Sequence, residues 1–355
     1  MSETPLSNPP KLETFFCILS GENFTLPQAE VAAILESERA PTESFLEFPR
    51  MVKFKTSLEG AQAVARRAAY SHSCCREIFS CRAAEEDAII DKIRNTDFQQ
   101  FLAEKETFKV TLTTIKPAVS VQGKIMKETL GSLILQAVPS SRVCLERSDR
   151  TFLGLVTGDM FLFGAIVDED RKRFRPRRPT SWPFFHPTAM STKLARCMVN
   201  LSRAGPGRIL LDPFCGTGSQ LIEAALMGCE IIGADLDFRM VNGTLQNLCS
   251  FGVRDFSLLV ADAKALPLRS VDSSASDPPY GRGSSTHGDI AIELVKGFLE
   301  NIYELLLPTG YICLAFPQGG GLRRTAEAIG YKIRETHLVR EHKSLTREVV
   351  VLTTA

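Results

Sequence analysis

Four short apolar runs between Arg208 and Asp277 each lead into an acidic residue, and this repetition limits the fold more than any other feature of the chain. Arg208–Leu211 is closed by Asp212, and Glu230–Gly233 runs into Ala234 and Asp235. Phe256–Val260 is followed by Asp262, and Val271–Ala275 by Ser276 and Asp277. Runs of this length and apolarity read as buried strands, whereas Leu221–Met227 and Arg239–Phe251 carry the three- and four-residue apolar spacing of helices. Strand alternating with helix builds an open, mostly parallel sheet, and ligands of such sheets bind outside the carboxyl ends of the strands. Helix Ile290–Leu306, strand Tyr311–Phe316, helix Leu322–Ile329 and strands Lys332–Val339 and Arg347–Leu352 complete the pattern. The predicted class is α/β, with a Rossmann-like domain over residues 186–355.

The first of these strands runs into Asp212-Pro213-Phe214-Cys215-Gly216-Thr217-Gly218-Ser219. Glycines after a buried strand allow a tight turn and close approach to a ligand. The third glycine of a dinucleotide fingerprint and the lysine of a P-loop are both missing. A ligand without phosphate is therefore expected, and S-adenosylmethionine fits. Gly216, Gly218 and Phe214 would line its amino-acid end, with Asp212 holding the ammonium group. Asp235 stands about twenty residues past the loop, where an acid accepts ribose hydroxyls. Asp237 is a competitor for that role, although it also suits the N-cap of the next helix. Asp262 would accept the adenine amino group. Upstream, Phe185 or Met190 would lie against the adenosine, while His186 has the alternative of a capping or packed histidine.

Asp277-Pro278-Pro279-Tyr280 carries the chemistry. An exocyclic amine is a poor nucleophile because its lone pair is delocalised into the ring. A carboxylate accepting one N–H and a rigid backbone carbonyl accepting the other draw the nitrogen toward tetrahedral geometry, with the lone pair facing the sulfonium methyl. Two prolines fix the backbone, preorganised acceptors act most strongly on the developing charge, and Tyr280 offers a face for the base. Methyl transfer to an exocyclic amino nitrogen follows, with Asp277, Pro278, Pro279 and Tyr280 as the catalytic set.

The 355 residues are too many for one core, so two or three domains are expected. Glu13–Arg82 reads strand, helix, strand, strand, helix, strand, the order of a ferredoxin-like unit. A second α/β stretch follows, with helices Glu85–Arg94 and Gln122–Ala137 and strands near Thr107–Ile115, Val143, Thr151–Thr157 and Met160–Val167. The last two strands form a hairpin turning at Gly158-Asp159. Residues 168–184 are too proline-rich for regular structure, and beyond them Pro187 is placed in the first turn of a helix carrying Leu194, Met198 and Leu201. The net charge of +1 does not advertise nucleic acid, yet Arg171, Lys172, Arg173, Arg175, Arg177 and Arg178 crowd the linker beside Phe174 and Trp182. Cations for phosphates and aromatics for bases suit RNA. Scattered cysteines and histidines show no ligand spacing, so no metal is predicted. No apolar run is long enough to span a bilayer, and Met1–Lys11 reads as a disordered tail with no signal core, so a cytoplasmic location is expected.

Trp182-Pro-Phe-Phe-His-Pro, Leu194-Ala-Arg-Cys-Met-Val-Asn-Leu, Leu211-Asp-Pro-Phe-Cys-Gly-Thr-Gly, Leu221-Ile-Glu-Ala-Ala, Asp277-Pro-Pro-Tyr-Gly-Arg and the opening Leu19-Ser-Gly-Glu-Asn together resemble the THUMP-domain tRNA (guanine(10)-N2)-methyltransferases of archaea and eukaryotes. The resemblance covers nearly the whole chain. It implies a ferredoxin-like domain over 12–83, a THUMP RNA-binding domain over 84–166, a basic linker over 167–185 and a class I methyltransferase domain over 186–355. It also implies tRNA as substrate and, as for some relatives, a small zinc-ribbon activator protein as partner. The family places Asp212, Asp235, Asp262 and Asp277–Tyr280 in the roles given above, and departs from this chain at Ser219-Gln220. Guanine-N2 methylation at another tRNA position or in rRNA, and a non-catalytic RNA-binding factor on a relic fold, are the competing readings.

Overall fold

The computed structural model describes residues 11–118, 123–168, 174–280, 285–342 and 345–354, so the expected tail lies outside the described residues except for Lys11. Contacts divide the chain into two compact units. One comprises Met1–Gly21, Ala40–Arg66 and Ser71–Arg171; the other comprises Glu22–Arg39, Arg67–Tyr70 and Lys172–Ala355. The first helix of the chain, α1 (Leu26–Ser37), falls in the second unit.

In the first unit, strands β1 (Glu13–Leu19), β2 (Glu43–Phe48), β3 (Met51–Thr56), β4 (Ser71–Arg82), β5 (Thr107–Pro117), β6 (Arg142–Val143), β7 (Arg150–Gly158) and β8 (Met160–Ile166) form one sheet in the order β2-β3-β1-β4-β8-β7-β5-β6. Helices α2 (Leu58–Arg67), α3 (Glu86–Arg94) and α4 (Gly123–Ala137) intervene in sequence. Antiparallel pairing of β4 with β8, from Cys75↔Ile166 to Arg82↔Met160, makes the sheet continuous across residues 12–166. Phe98, Phe108, Phe152, Phe161 and Phe163 are buried together, with Phe98 edge-on to Phe152 at 5.5 Å between ring centroids. Gly164 permits the close approach of β4, because a Cβ there would lie 2.5 Å from the Arg76 carbonyl oxygen. The hairpin expected at Gly158-Asp159 turns there, with Gly158 at φ +56°.

The second unit holds β9 (Ile209–Asp212), β10 (Glu230–Asp235), β11 (Ser257–Val260), β12 (Val271–Ser276), β13 (Leu306–Pro317), β14 (Lys332–His342) and β15 (Leu345–Thr353) in the order β11-β10-β9-β12-β13-β15-β14. The pairs from β11 through β13 are parallel, while β15 runs antiparallel to both of its neighbours. Helices α5 (Thr192–Leu201), α6 (Ser219–Ala225), α7 (Phe238–Ser250), α8 (Ser285–Tyr303) and α9 (Leu322–Ile329) complete it. The α/β class and the mostly parallel sheet match the reading of the sequence.

Two local expectations fail. Pro187 is not in a helix: Ala189 N–H donates to the His186 carbonyl at 2.9 Å, closing a turn, and α5 starts only at Thr192 behind the N-cap Ser191. The linker carries two short 3-10 turns, Arg175–Arg177 and Pro179–Ser181, because a proline in a first turn lacks only an N–H that would be unpaired anyway.

Helix α1 enters the second unit through a buried polar network. The Glu30 carboxylate, fully buried, accepts from the backbone N–H of Ala69 and Tyr70 at 2.8 and 2.9 Å and from Asn200 Nδ2 at 2.8 Å. Arg67 donates to Asn200 Oδ1, to the Ala204 carbonyl at 2.6 Å, and to Glu38. Leu26, Ala33 and Tyr70 share one apolar cluster with Leu194, Met198 and Leu210. Removing one partner of such a buried ionic network typically costs about 3–5 kcal/mol. The second unit thus draws on residues far upstream of His186.

Candidate active site

Strands β10, β9 and β12 lie side by side and parallel, so Asp235, Asp212 and Asp277 come to the same edge of the sheet. Asp212 is fully buried at the end of β9. Its Oδ1 accepts from Phe214 N–H at 3.2 Å and from Ser276 Oγ at 2.5 Å, while Oδ2 has no hydrogen-bond partner among the described residues. Burial pushes this carboxyl up to about 7; the Ser276 and Phe214 hydrogen bonds oppose the shift, and Asp235 and Asp277 add to it. A buried carboxylate oxygen without a partner fits a ligand that brings its own cation.

The glycine loop beside it is built from both ends. Gly216 and Gly218 have φ of +51° and +86°, the left-handed region that glycine enters at least cost. Gly218 is the N-cap of α6. Asp235 Oδ2 accepts from Gly216 N–H at 3.0 Å and Oδ1 from Asp237 N–H at 2.9 Å, so one carboxylate ties the loop to the turn after β10. From the other side, Thr244 Oγ1 donates to the Gly216 carbonyl at 2.8 Å, and Asn247 Nδ2 to the Thr217 carbonyl at 2.9 Å. Asn247 also pairs with Phe184 through both its N–H and its carbonyl, each at 2.9 Å. Gly243 leaves the space that the Phe184 ring fills, since a Cβ there would stand 2.0 Å from Phe184 Cδ1. These three residues of α7 escaped the sequence reading. Their signal was available: positions 243, 244 and 247 share one helical face.

The remaining expected ligand residues are placed as follows. Asp237 caps α7, its carboxylate accepting from Arg239 N–H at 2.8 Å and pairing with the Arg239 guanidinium, which holds it below the ordinary carboxylate range. Asp262 caps the 3-10 turn after β11 by accepting from Lys264 N–H at 3.0 Å. Phe214 packs edge-on against Phe298 at 5.7 Å. Phe185 is 49% exposed, whereas Met190 is 4% exposed and belongs to the apolar core, so Met190 offers no surface to an adenosine. His186 Nδ1 and Thr188 Oγ1 lie 2.7 Å apart within the turn.

Asp277 follows β12 with Pro278 buried behind it, Pro279 exposed and Tyr280 half-buried. Arg347, at the start of β15, donates from Nη2 to Asp277 Oδ2 at 3.0 Å and from Nε to the Tyr280 hydroxyl at 2.7 Å. Its Nη1 is 2.6 Å from Glu341 Oε1. The Tyr280 ring meets Phe316 edge-on at 6.1 Å. Asp277 Oδ1 is buried with no hydrogen-bond partner among the described residues. Burial pushes Asp277 up to about 7, with Arg347 pulling down and Glu341 pushing up; burial and the neighbouring Asp277 push Tyr280 up to about 12. The sequence reading missed Arg347.

The basic run divides. Arg171, Lys172 and Arg173 lie outside the described residues, as does the side chain of Arg175. Arg177 is withdrawn from the phosphate-facing set. Its guanidinium forms a two-point pair with Glu223, at 2.9 and 3.0 Å, and lies over the Phe174 ring at 4.8 Å. Glu223 is 1% exposed and also takes Arg196 at 2.7 Å. Trp182 is likewise unavailable to a base, being buried edge-on against Phe251 with its Nε1 donating to the Arg177 carbonyl at 3.1 Å. Arg178 is exposed.

The RMKL-like methyltransferase domain model matches residues 179–348. The tRNA (guanine(10)-N2)-dimethyltransferase of Methanothermobacter thermautotrophicus is 34% identical over 339 residues, which cover 94% of this chain and 98% of that protein. Its counterpart in Methanocaldococcus jannaschii is 31% identical, with 94% and 98% covered. TrmN from Thermus thermophilus has a similar fold, with a TM-score of 0.57, 19% identity and coverage of 96% and 100%. SMU.472, solved in complex with SAH, has a TM-score of 0.55 at 16% identity, with 98% and 99% covered. The chain has the class I methyltransferase fold, uses S-adenosylmethionine, and belongs to the tRNA (guanine(10)-N2)-dimethyltransferase family.

Proposed function

We propose that the chain methylates the exocyclic N2 of guanosine 10 in tRNA. The observation that carries the reading is Asp277 Oδ1, a buried carboxylate oxygen without a partner among the described residues, next to a doubly proline-locked backbone and the Tyr280 ring. Bound S-adenosylmethionine supplies the electrophilic methyl group. Asp212 Oδ2 receives the cofactor ammonium, with Phe214, Gly216 and Gly218 along its amino-acid end. Asp235 takes the ribose, Asp262 the adenine amine, and Phe185 the adenosine face. Asp277 Oδ1 and the Pro278 carbonyl accept hydrogen bonds from the two amine N–H groups, aligning the lone pair, while Tyr280 stacks on the flipped base. Pro279 keeps the backbone from relaxing. After transfer the nitrogen sheds a proton, and a carboxylate held near 7 is suited to receive it at neutral pH.

Address reading falls to the eight-stranded unit, read as a ferredoxin-like module over 12–83 and a THUMP module over 84–166, together with Arg178 and the cations at 171–175. The enzyme would work on tRNA in the cytoplasm; among the described residues no helix is long and apolar enough to cross a membrane. The zinc-ribbon activator of some relatives would be a further partner, and adding one to the assay decides that point. Incubation with methyl-labelled S-adenosylmethionine and total tRNA, followed by nucleoside mapping, tests the reading. Label in N2-methylated guanosine at position 10 is expected. Label at another nucleotide or in rRNA would keep the chemistry and change the address, and absence of label both with and without the activator would remove the enzyme reading altogether.

A further inference from the structure

We infer that Arg347 is the positioning residue of the transfer reaction: it holds Asp277 by Oδ2 and Tyr280 by its hydroxyl, so that Oδ1 alone is presented to the amine. The inference rests on the reading of Asp277 given above. Arg347 reaches the site because β15 is antiparallel. Among parallel strands only the carboxyl ends meet the ligand edge, whereas an antiparallel strand brings its first residues there. Arg347 pairs with Pro317 at the carboxyl end of β13, one strand from β12. Neighbouring strands are about 4.8 Å apart, so the gap from β15 to β12 is roughly 10 Å, which an extended arginine and an aspartate span between them.

The guanidinium is a planar fork whose donors have fixed directions. Here Nη2 meets Asp277 Oδ2, Nε meets Tyr280, and Nη1 meets Glu341, so each nitrogen of the fork has an acceptor. The Asp277 carboxylate cannot rotate without breaking the first of these contacts, and the Tyr280 ring cannot swing without breaking the second or its edge contact with Phe316. Arg347 is itself 11% exposed. Among the described residues, the charged and titratable groups facing Asp277 are Arg347 from β15, Glu341 from β14 and Tyr280 from its own loop, with Asp212 on β9 feeling its charge. Arg347 is the cation of that group. It favours the ionised carboxylate, which is the form that accepts an amine N–H through either oxygen; a protonated carboxyl in the same place presents a donor.

The test uses the full-length protein, 13C-labelled at aspartate Cγ, with the Asp277 resonance assigned by its loss in Asp277→Asn. Titration is read without RNA. In Arg347→Met the Asp277 transition is expected to move upward by about one pH unit or more, and in Glu341→Gln downward, because one substitution removes the cation and the other removes the competing anion. Arg347→Lys should restore most of the wild-type position. In turnover, Arg347→Met should lower kcat at pH 7 by about tenfold or more, with cofactor Kd unchanged and part of the loss recovered at higher pH. An Asp277 transition that stays in place in Arg347→Met overturns the inference, as does a kcat loss equal at every pH. If Arg347→Met fails to fold, Arg347→Gln, which keeps a polar side chain but removes the charge, gives the same reading of the Asp277 transition. If wild-type protein leaves guanine N2 unmethylated, the functional reading falls while the titration remains readable on its own.

Discussion

Asp212 and Asp277 sit at the ends of neighbouring strands, are both pushed up to about 7 by burial, and each keep one oxygen without a partner among the described residues, yet their surroundings differ in one respect. Asp277 has a cation of its own in Arg347; Asp212 has a hydroxyl and an amide but, among the described residues, no cation in direct contact. The difference separates two uses of a buried carboxylate. The site with a built-in cation keeps its charge ready for a neutral amine. On the proposed reading, the site without one is completed by a ligand that carries positive charge.

The largest expected effect breaks the comparison on the catalytic side. Asp277→Ala should lower kcat by about 10²–10³-fold or more, on the order of 3 kcal/mol or more of transition-state stabilisation, as for loss of a preorganised polar contact. Cofactor affinity should stay nearly intact, and single-turnover assays paired with calorimetric titration check both. Normal turnover in this variant would remove the mechanism.

Asp212→Asn sharpens the other side. Between the ordinary carboxylate range and about pH 7 the folded chain retains a proton on Asp212 that the unfolded chain has released. Ionisation therefore opposes folding, and ligand-free stability falls as pH rises through that window. An amide avoids this penalty, so Asp212→Asn should raise the unfolding free energy at pH 8 by about 4 kcal/mol and by little at pH 4. It should also weaken S-adenosylmethionine binding by about tenfold or more, the loss of a charge-assisted contact. Denaturant melts at the two pH values, with and without cofactor, measure each part. A variant that is no more stable than wild type at pH 8 would show that Asp212 carries no such strain.

These contrasts also mark how far the sequence could be read. The acids at strand ends were legible because parallel strands between helices repeat a simple apolar pattern, and the turn after each strand lies on the ligand edge. The Arg347–Asp277 pair was not, because seventy residues separate its partners and only the reversed direction of β15 brings them together. An arginine at the start of the closing strand was the available signal, and recognising it required knowing that strand to be antiparallel. Arg177 was read as a phosphate contact because it stands in a run of cations, and periodicity says nothing of Glu223 waiting 46 residues on. The grouping of α1 with the second unit was hidden for a similar reason: the strand–helix order of Glu13–Arg82 is that of a self-contained module, and the Glu30–Asn200 contact joins residues 170 apart.

The turn after β10 gives a smaller, internal comparison. Asp235 holds Gly216 and the Asp237 amide, while Asp237 serves the helix behind it. Asp235→Ala should therefore weaken S-adenosylmethionine binding about tenfold, through the loop as well as any ribose contact, and Asp237→Ala should weaken it less. Calorimetric titration giving the reverse order would move the ribose contact to Asp237.

The smallest effect expected on tRNA binding separates two arginines of one run. Arg177 is held against Glu223 and Phe174, so among the described residues its removal leaves the buried carboxylate only Arg196. Arg177→Ala should lower Tm while leaving the salt dependence of tRNA binding as it was. Arg178 is exposed, where a phosphate can reach it. Arg178→Ala should leave Tm in place, weaken tRNA binding by about two- to fivefold, and reduce the slope of log affinity against log salt by about 0.7–0.9, as for one lost phosphate contact. Filter binding across a salt series, run beside thermal melts, distinguishes the two. If Arg178→Ala keeps both affinity and slope, the exposed end of the run is a solvated hinge, and tRNA recognition rests on the eight-stranded unit.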